Sequence, residues 1–587
     1  MRDYTRKLRF PPSHEVYRLL ILLVLSVLIW CFTYNRWTIE AWETPLEYGI
    51  TPETADAKSV LASIKASSEG HIVPLLPKHI PELGAPYGAD WDDCPLVEQP
   101  LFWLTGLAAK LCGVFTAANL AVLVAQVLAA LAFYVTCRSL KCDWAWAMSG
   151  ALVFAFARMA IARQIHHLPV TFYWHVPLCL LVCWWISGGE LQWRNKLHWI
   201  GLGIGVITGI QNPYYTNMFL QLAALATVFR ALDRDWKSAA AGASIILTTF
   251  GIFLLMNANM VLYHLLQGPN IGSIVRVYEW LEVFALKPLD LFMPPPDHPI
   301  AWLANYARSY REHVLVPGET PPSNYLGLVG IASLFWLVLV AAKNTVSRPR
   351  MPIPVEAWQV MWIFCYSTIG GINGFLGTLG IQLFRSTNRL SIFILAIALV
   401  FSVKSLSRLN WSRSKVVIFA TLLTMVALLD QIPPPPVTAS IRQTAEIVAA
   451  DRQFVLQIER RLPRGAMIFQ LPPCPYPESS APGIPAYDYF RPYLFSRSLR
   501  YSYGSIKGRS RDNWQFTIGR NGIIAAVSDL ESYGFRAIYI QKNGFQDYGA
   551  GLLHALADAG KSEVIEHPNG EIALLILKPR ANPVLPR

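Results

Sequence analysis

The sequence predicts an α-helical polytopic membrane protein with about eleven transmembrane helices and a C-terminal extracytoplasmic α/β domain. Three observations lead there. Apolar stretches too long for a soluble core recur from Val16 to about Asp430. Of the 587 residues, 53% are hydrophobic and only 15% charged, where soluble domains carry about a quarter charged residues. The last 150 or so residues lack such stretches and hold short β-rich runs instead. This composition excludes an ordinary cytosolic enzyme.

The N-terminus, MRDYTRKLRF, sets Arg2, Arg6, Lys7 and Arg9 ahead of the apolar run VYRLLILLVLSVLIWCF, with no small-residue cleavage site. It reads as an uncleaved signal anchor whose tail stays in the cytoplasm. Further spans are predicted near 116–136, 143–160, 169–187, 198–212, 214–230, 238–258, 323–342, 357–377, 389–404 and 415–430. Positive charge then collects in alternate loops. The predicted inner loops hold Arg138 and Lys141, then Arg194 and Lys196, then Arg230, Arg234 and Lys237, then Lys343, Arg348 and Arg350, and finally Lys404, Arg408, Arg413 and Lys415. The first outer loop, 35–100, is acidic, with Glu40, Glu43, Glu47, Glu53, Asp56, Glu69, Glu82, Asp90, Asp92, Asp93 and Glu98. An odd number of spans places the C-terminus outside. The net charge of +12 thus reflects orientation, and nucleic acid is not needed as a partner.

The predicted outer side holds the loop 35–100, a second loop 259–322, and the region 431–587. Residues 1–430 form the transmembrane domain with its loops. Pro433–Pro436 marks the boundary, because four prolines are stiff and cannot continue a helix. Beyond it, TAEIVAADRQFVLQIERRL has helical spacing, whereas GAMIFQL, FRAIYIQ and IALLILK read as strands. Nine cysteines show no CxxC pair or zinc spacing; Cys94 and Cys474 are the two that an oxidising compartment could join.

Residues with chemistry concentrate in the outer segments. Ala57, Val60, Leu61 and Ile64 repeat at i, i+3, i+4, i+7, which predicts an amphipathic helix lying on the membrane, and Asp56 at its start is either a helix-end carboxylate or a reactive one. Asp90, Trp91, Asp92 and Asp93 put three carboxylates beside an indole. Such a cluster can bind a divalent cation, act as a base or hold a sugar, and the alternative is a cap for a helix opened by Pro95. Arg163 with His167, and Arg385 with Arg389, are spaced i, i+4 at the predicted outer ends of spans. Cations there fit a phosphate, or else ordinary anionic headgroups. In the second loop, VRVYEWLEVFALKPLDLF predicts another amphipathic helix with Arg276, Glu279 and Glu282, and His298, Glu319 and Tyr325 are candidate acid/base or substrate-binding groups. Arg500–Arg511 is a basic, aromatic stretch that either meets an acceptor or is a strand and turn. No Walker loop, dinucleotide fingerprint, GxSxG or HExxH is present. An enzyme facing outward without a nucleotide site takes a donor that reaches it through the membrane.

A signal anchor, a long acidic first loop, many spans and a terminal α/β domain together resemble the GT-C superfamily of integral-membrane glycosyltransferases. Pro45-Leu46-Glu47-Tyr48 with Asp56 and Ile64-Lys65, Leu83–Gly88 through Asp93 and Pro95, Arg163 with His167-Leu168, Pro177-Leu178, Asn324–Gly327 and Leu499–Arg509 are similar to the bacterial YfhO-type, or sugar-translocase, membrane proteins. The resemblance implies transfer of a sugar from a polyprenyl-phosphate donor to a cell-envelope glycan or lipid acceptor, usually with inversion. It implies an acidic base in the first outer loop: Asp56 by position, with Asp92 or Asp93 as rival. Arg163, His167, Arg385 and Arg389 would hold the donor phosphate, with Asp90, Trp91, His298, Glu319 and Tyr325 at the substrate. A divalent cation, Mg or Mn, is optional. A flippase of lipid-linked sugars, or a non-catalytic envelope-assembly protein, is the alternative.

Overall fold

The structure is a computed structural model that describes residues 13–316, 318–319, 322–349 and 351–586. Arg2, Arg6, Lys7, Arg9 and Arg350 lie outside the described residues. A helix occupies every predicted span. Among the described residues, seven helices are long and apolar enough to cross a membrane: His14–Tyr34, Val114–Ser139, Trp144–Ile161, Trp236–Met256, Gly327–Val346, Thr387–Leu406 and Arg413–Gln431. The chain is a multi-pass membrane protein.

The other predicted spans are shorter or less apolar. Val176–Ser187, Lys196–Gly209 and Val355–Ser367 run 12, 14 and 13 residues. That is about 18–21 Å at about 1.5 Å per residue, short of the ~30 Å hydrocarbon core. Pro213–Leu232 is long enough, but its first turn carries Tyr214, Tyr215, Thr216 and Asn217. The predicted span 357–377 is broken after Ser367, where Gly370 takes φ +70, and resumes as Ile372–Thr378.

Contacts separate the two ends of the bundle. At one end Glu15 accepts from Tyr134 and Arg138 at 2.8 and 2.7 Å, Arg413 pairs with Asp143 at 2.6 Å, and Lys404 with Glu356 at 2.5 Å. These residues belong to the loops that the positive charges mark. At the other end the first loop, the second loop and the C-terminal domain converge.

After the prolines, Thr438–Arg461 is a 24-residue helix. The C-terminal sheet has the order Arg500–Tyr501, Met467–Leu471, Phe535–Gln541, Ile572–Ile576, Val564–Glu566, parallel across the first three strands and antiparallel across the last three. All three β-rich runs are strands. One face packs Phe469, Phe535, Ile538, Ile540 and Leu575 into a separate core, while Tyr539 and Leu574 face the core that continues into the membrane body.

Two expectations about the loops need correction. The helix Ala57–Ser68 does not lie on a membrane surface, since ten of its twelve residues are buried. It is packed against Gln99–Cys112 on one side and Arg491–Phe495 of the C-terminal domain on the other. Gly106 permits the first approach: a Cβ there would stand 2.4 Å from Ser67 Oγ. The helix predicted at 275–292 shrinks to Glu279–Val283 and a turn at Pro288–Leu291, because Pro288 and a β-bridge from Leu286 to Thr368 interrupt it. The 13-residue helix of that loop is Ala301–His313. Cys94 and Cys474 are both free thiols.

Candidate active site

Asp56 stands at the head of Ala57–Ser68, and its backbone is already helical, with φ −60 and ψ −19. In that conformation its carboxylate caps no backbone N–H of the helix, so the capping role is not what holds it there. Nearly half of the side chain, 48%, stays accessible, enough for a substrate to reach it. The helix itself is fixed by a buried charge network. Lys58 Nζ donates to the Gly49 carbonyl and pairs with Asp488, both at 2.6 Å. Next to Asp488, Arg491 forks onto Asp451 at 2.6 and 3.0 Å, and Asp451 also accepts from Tyr48 at 2.6 Å and meets His567 at 2.9 Å. Tyr48 and Lys58 come from the first loop and the rest from the C-terminal domain, so both parts of the chain position Asp56.

Basic side chains and their carboxylate partners surround it. His167 Nε2 lies 3.6 Å from Asp56 Oδ2, close but beyond a hydrogen bond. Burial pushes the His167 pKa well below the usual range, and His166, Arg389 and Arg163 push it the same way against Glu319. His167 is therefore neutral. Glu319 is gripped by Arg163 and Arg389 at 2.7 and 2.6 Å and by Asn388 at 2.9 Å. Burial alone would raise its pKa, but the two arginines hold the carboxylate well below its ordinary value. Arg385 lies over the Trp280 ring at 4.8 Å and reaches Glu478 at 3.3 Å, and Arg276 meets the same carboxylate at 2.9 Å. Burial raises the Asp56 pKa; Glu478 adds to the rise, and His166, Arg389 and Arg385 oppose it.

Glu478 belongs to the C-terminal domain, in a segment whose Glu478 and Tyr487 both take left-handed backbone, φ +53 and +62. Each such residue costs roughly 1–2 kcal/mol, and strain of this kind collects at functional sites. The Tyr487 hydroxyl accepts from the Glu478 N–H at 3.0 Å and ties the two together.

The structure thus brings Asp56, Arg163, His167, Arg385, Arg389 and Glu319 together. It commits the other sequence candidates elsewhere. Asp92 accepts from the Lys78 ammonium and backbone N–H, both at 2.7 Å. Asp93 takes Arg509 at 2.8 and 2.9 Å, His264 at 2.9 Å and Asn270 at 2.6 Å. Asp90 meets His79 at 2.6 Å, Tyr263 at 3.3 Å and Arg511. Trp91 stacks on Tyr476 at 5.7 Å and donates to the Gly504 carbonyl at 3.0 Å. The helix expected at Pro95 begins instead at Gln99. The acidic cluster therefore clamps the first loop to the second loop and to the C-terminal domain. Arg500 does the same through the carbonyls of Pro81 and Pro86. His298 and Tyr325 both bind Asp430, at 3.2 and 2.9 Å, and brace the end of the last span.

Two site residues escape sequence reasoning. Glu478 has no local signal, since its partners lie 93 and 202 residues away. Glu98 reads as an ordinary helix start before Gln99-Pro100, yet it caps nothing and is buried. It accepts from Asn212 at 3.0 Å, and burial raises its pKa against the nearby Arg389 charge. As for metal, one group of three metal-capable side chains stands out among the described residues, Glu69, His71 and Glu82. Asp56 is not part of it.

Fold and site define a multi-pass membrane protein that sets an accessible carboxylate, Asp56, among arginines beside its C-terminal α/β domain. No family model matches the chain, and no curated protein matches it. Among solved structures, the chain is similar to ArnT from Cupriavidus metallidurans bound to undecaprenyl phosphate, with 10% identity over 97% of this chain and 100% of that one and a TM-score of 0.47. It is also similar to the archaeal oligosaccharyltransferase AglB from Archaeoglobus fulgidus in complex with an inhibitory peptide and a dolichol-phosphate, with 12% identity over 96% of this chain and 74% of that one and a TM-score of 0.42.

Proposed function

We propose that the chain is a glycosyltransferase of GT-C type that moves a sugar from a polyprenyl-phosphate donor to a cell-envelope glycan or lipid acceptor on the outer side of a bacterial inner membrane. The supporting observation is the accessible, uncapped Asp56 carboxylate beside an arginine cradle at the end of the bundle that carries the C-terminal domain. Asp56 removes the acceptor hydroxyl proton as that oxygen attacks the anomeric carbon. The bond from that carbon to the phosphate oxygen breaks, with inversion, and Asp56 keeps the proton. A carboxylate with a raised pKa is a stronger base for this step than a free aspartate. The departing phosphate gathers charge, which Arg385 and Arg389 offset from fixed positions beside Glu478 and Glu319. Arg163 is almost wholly buried against Glu319 and acts as a positioning residue that holds the carboxylate to which Arg389 is fixed. Between turnovers Glu478 occupies the seat of the phosphate on Arg385 and Arg276.

The test is Asp56→Asn, assayed for transfer from a synthetic polyprenyl-phosphate sugar and for envelope glycan in cells. Full activity of this variant sinks the base assignment. Loss of envelope glycan with intact transfer in vitro points to transport instead. Alkaline-phosphatase fusions after Asp430 report the side of the membrane, and an inactive fusion there overturns the orientation.

A further inference from the structure

We infer that Glu69, His71 and Glu82 form a structural site for a divalent transition-metal ion of the zinc or manganese type, separate from the Asp56 site. Their ligand atoms all lie within 4.8 Å of one another. Glu69 closes the helix Ala57–Ser68, His71 follows two residues later, and Glu82 comes in after the short strand His79–Ile80. Asp56 stands at the opposite end of that 12-residue helix, about 18 Å away at ~1.5 Å per residue.

The contacts within the group are those of donors facing a common point. His71 Nε2 is 3.1 Å from Glu82 Oε2, so the imidazole nitrogen and that carboxylate already face each other beside Glu69. Glu69 Oε2 accepts from Tyr493 at 2.7 Å, which orients the carboxylate from behind as an outer-shell partner does. Lys65 pairs with the other Glu69 oxygen. Its single charge offsets one of the two carboxylates and leaves the other for an ion. One nitrogen and two oxygen donors suit zinc or manganese. The three side chains keep 28, 22 and 29% of their surface, so an ion can enter and water can fill its remaining positions. Bound there, the ion rivets the tail of the Asp56 helix to the chain that leads into the Asp90–Asp93 clamp.

The experiment uses the full chain in nanodiscs, stripped with EDTA and then titrated with zinc or manganese chloride. Ion content is read by mass spectrometry and unfolding by a thermal ramp. About one ion per chain is expected, with a rise in the unfolding midpoint of about 2 °C at a hundredfold excess over Kd. Whichever of the two ions binds tighter is the occupant. His71→Ala and Glu82→Gln should each weaken binding tenfold or more, and Asp56→Asn should leave it unchanged. If Glu82→Gln is not monodisperse, His71→Gln takes its place. Wild-type protein that takes up no ion at micromolar concentration, or His71 and Glu82 variants that bind like wild type, overturns the site. Loss of the ion in Asp56→Asn would do so as well, by moving it to the other end of the helix.

Discussion

Replacing Glu478 by Gln tests the arginine cradle with an effect of unusual sign. Glu478 pairs with Arg276 at 2.9 Å and Arg385 at 3.3 Å, and the three side chains keep 33, 26 and 24% of their surface. A partly exposed pair of this kind contributes about 0.5–1 kcal/mol, so occupying both cations contributes roughly 1–2 kcal/mol. A donor phosphate that must displace Glu478 gains that amount when the charge is removed, which is about 5- to 30-fold tighter binding. The same substitution removes a negative charge that raises the Asp56 pKa. Asp56 then ionises at lower pH, and the acid limb of kcat/KM moves down. Polyprenyl-phosphate binding in nanodiscs and the pH–rate profile measure the two effects in parallel. Weaker donor binding, or an acid limb that stays in place, would show that Glu478 positions the arginines rather than standing in for the phosphate.

Asp56→Asn should lower kcat by about 10²- to 10⁴-fold with little change in donor affinity; a variant that loses donor binding and keeps kcat assigns Asp56 to binding. Asp92→Asn leaves the buried Lys78 ammonium without its ion pair and should cost about 3 kcal/mol of stability while the pH profile keeps its shape; a shifted profile returns Asp92 to the chemistry. Glu319→Gln strands the Arg163 and Arg389 cations and should destabilise by about 3–5 kcal/mol, read as a lower unfolding midpoint, with an unchanged midpoint as the contrary result. Burial would raise the Asp451 pKa, but His567, Arg491 and Tyr48 bring it below the ordinary range. Its contribution is therefore fully present above about pH 4 and disappears as pH falls through the lowered folded value. Asp451→Asn should flatten that acid limb of the stability curve, and a limb as steep as wild type refutes the assignment.

Helices and strands were legible because their signals are local. Apolar length marked the spans, alternate loop charge marked the two ends of the bundle, and GAMIFQL, FRAIYIQ and IALLILK marked the strands. Span lengths were harder, since hydropathy does not register a break such as the one before Ile372 or the polar opening at Tyr214. At the site, Asp56, Arg163, His167, Arg385 and Arg389 could be chosen because a charge at the edge of an apolar run is conspicuous. The Asp90–Asp93 cluster was conspicuous for the same reason, but its partners are fixed by the fold: Lys78 and His79 close by in the chain, and His264, Arg509 and Arg511 up to 421 residues away. Local sequence shows where charge is, whereas tertiary pairing decides which charge remains available.

The buried network around Lys58 also sets a schedule. Tyr48 and Asp451, which it joins, are 403 residues apart in the chain. At about 5–20 residues per second of synthesis, the helix bearing Asp56 leaves the ribosome roughly 20–80 s before its counter-ions exist. During that interval Lys58 lacks Asp488 and the side of Ala57–Ser68 that meets Arg491–Phe495 stays uncovered, while Gln99–Cys112 is already made and can cover the other side. The nascent loop then needs a temporary host, either the lipid surface or a holdase, and a slow-translating stretch between the last span and Asp451 lengthens its exposure. The site is thus assembled last, when the first loop and the final domain meet.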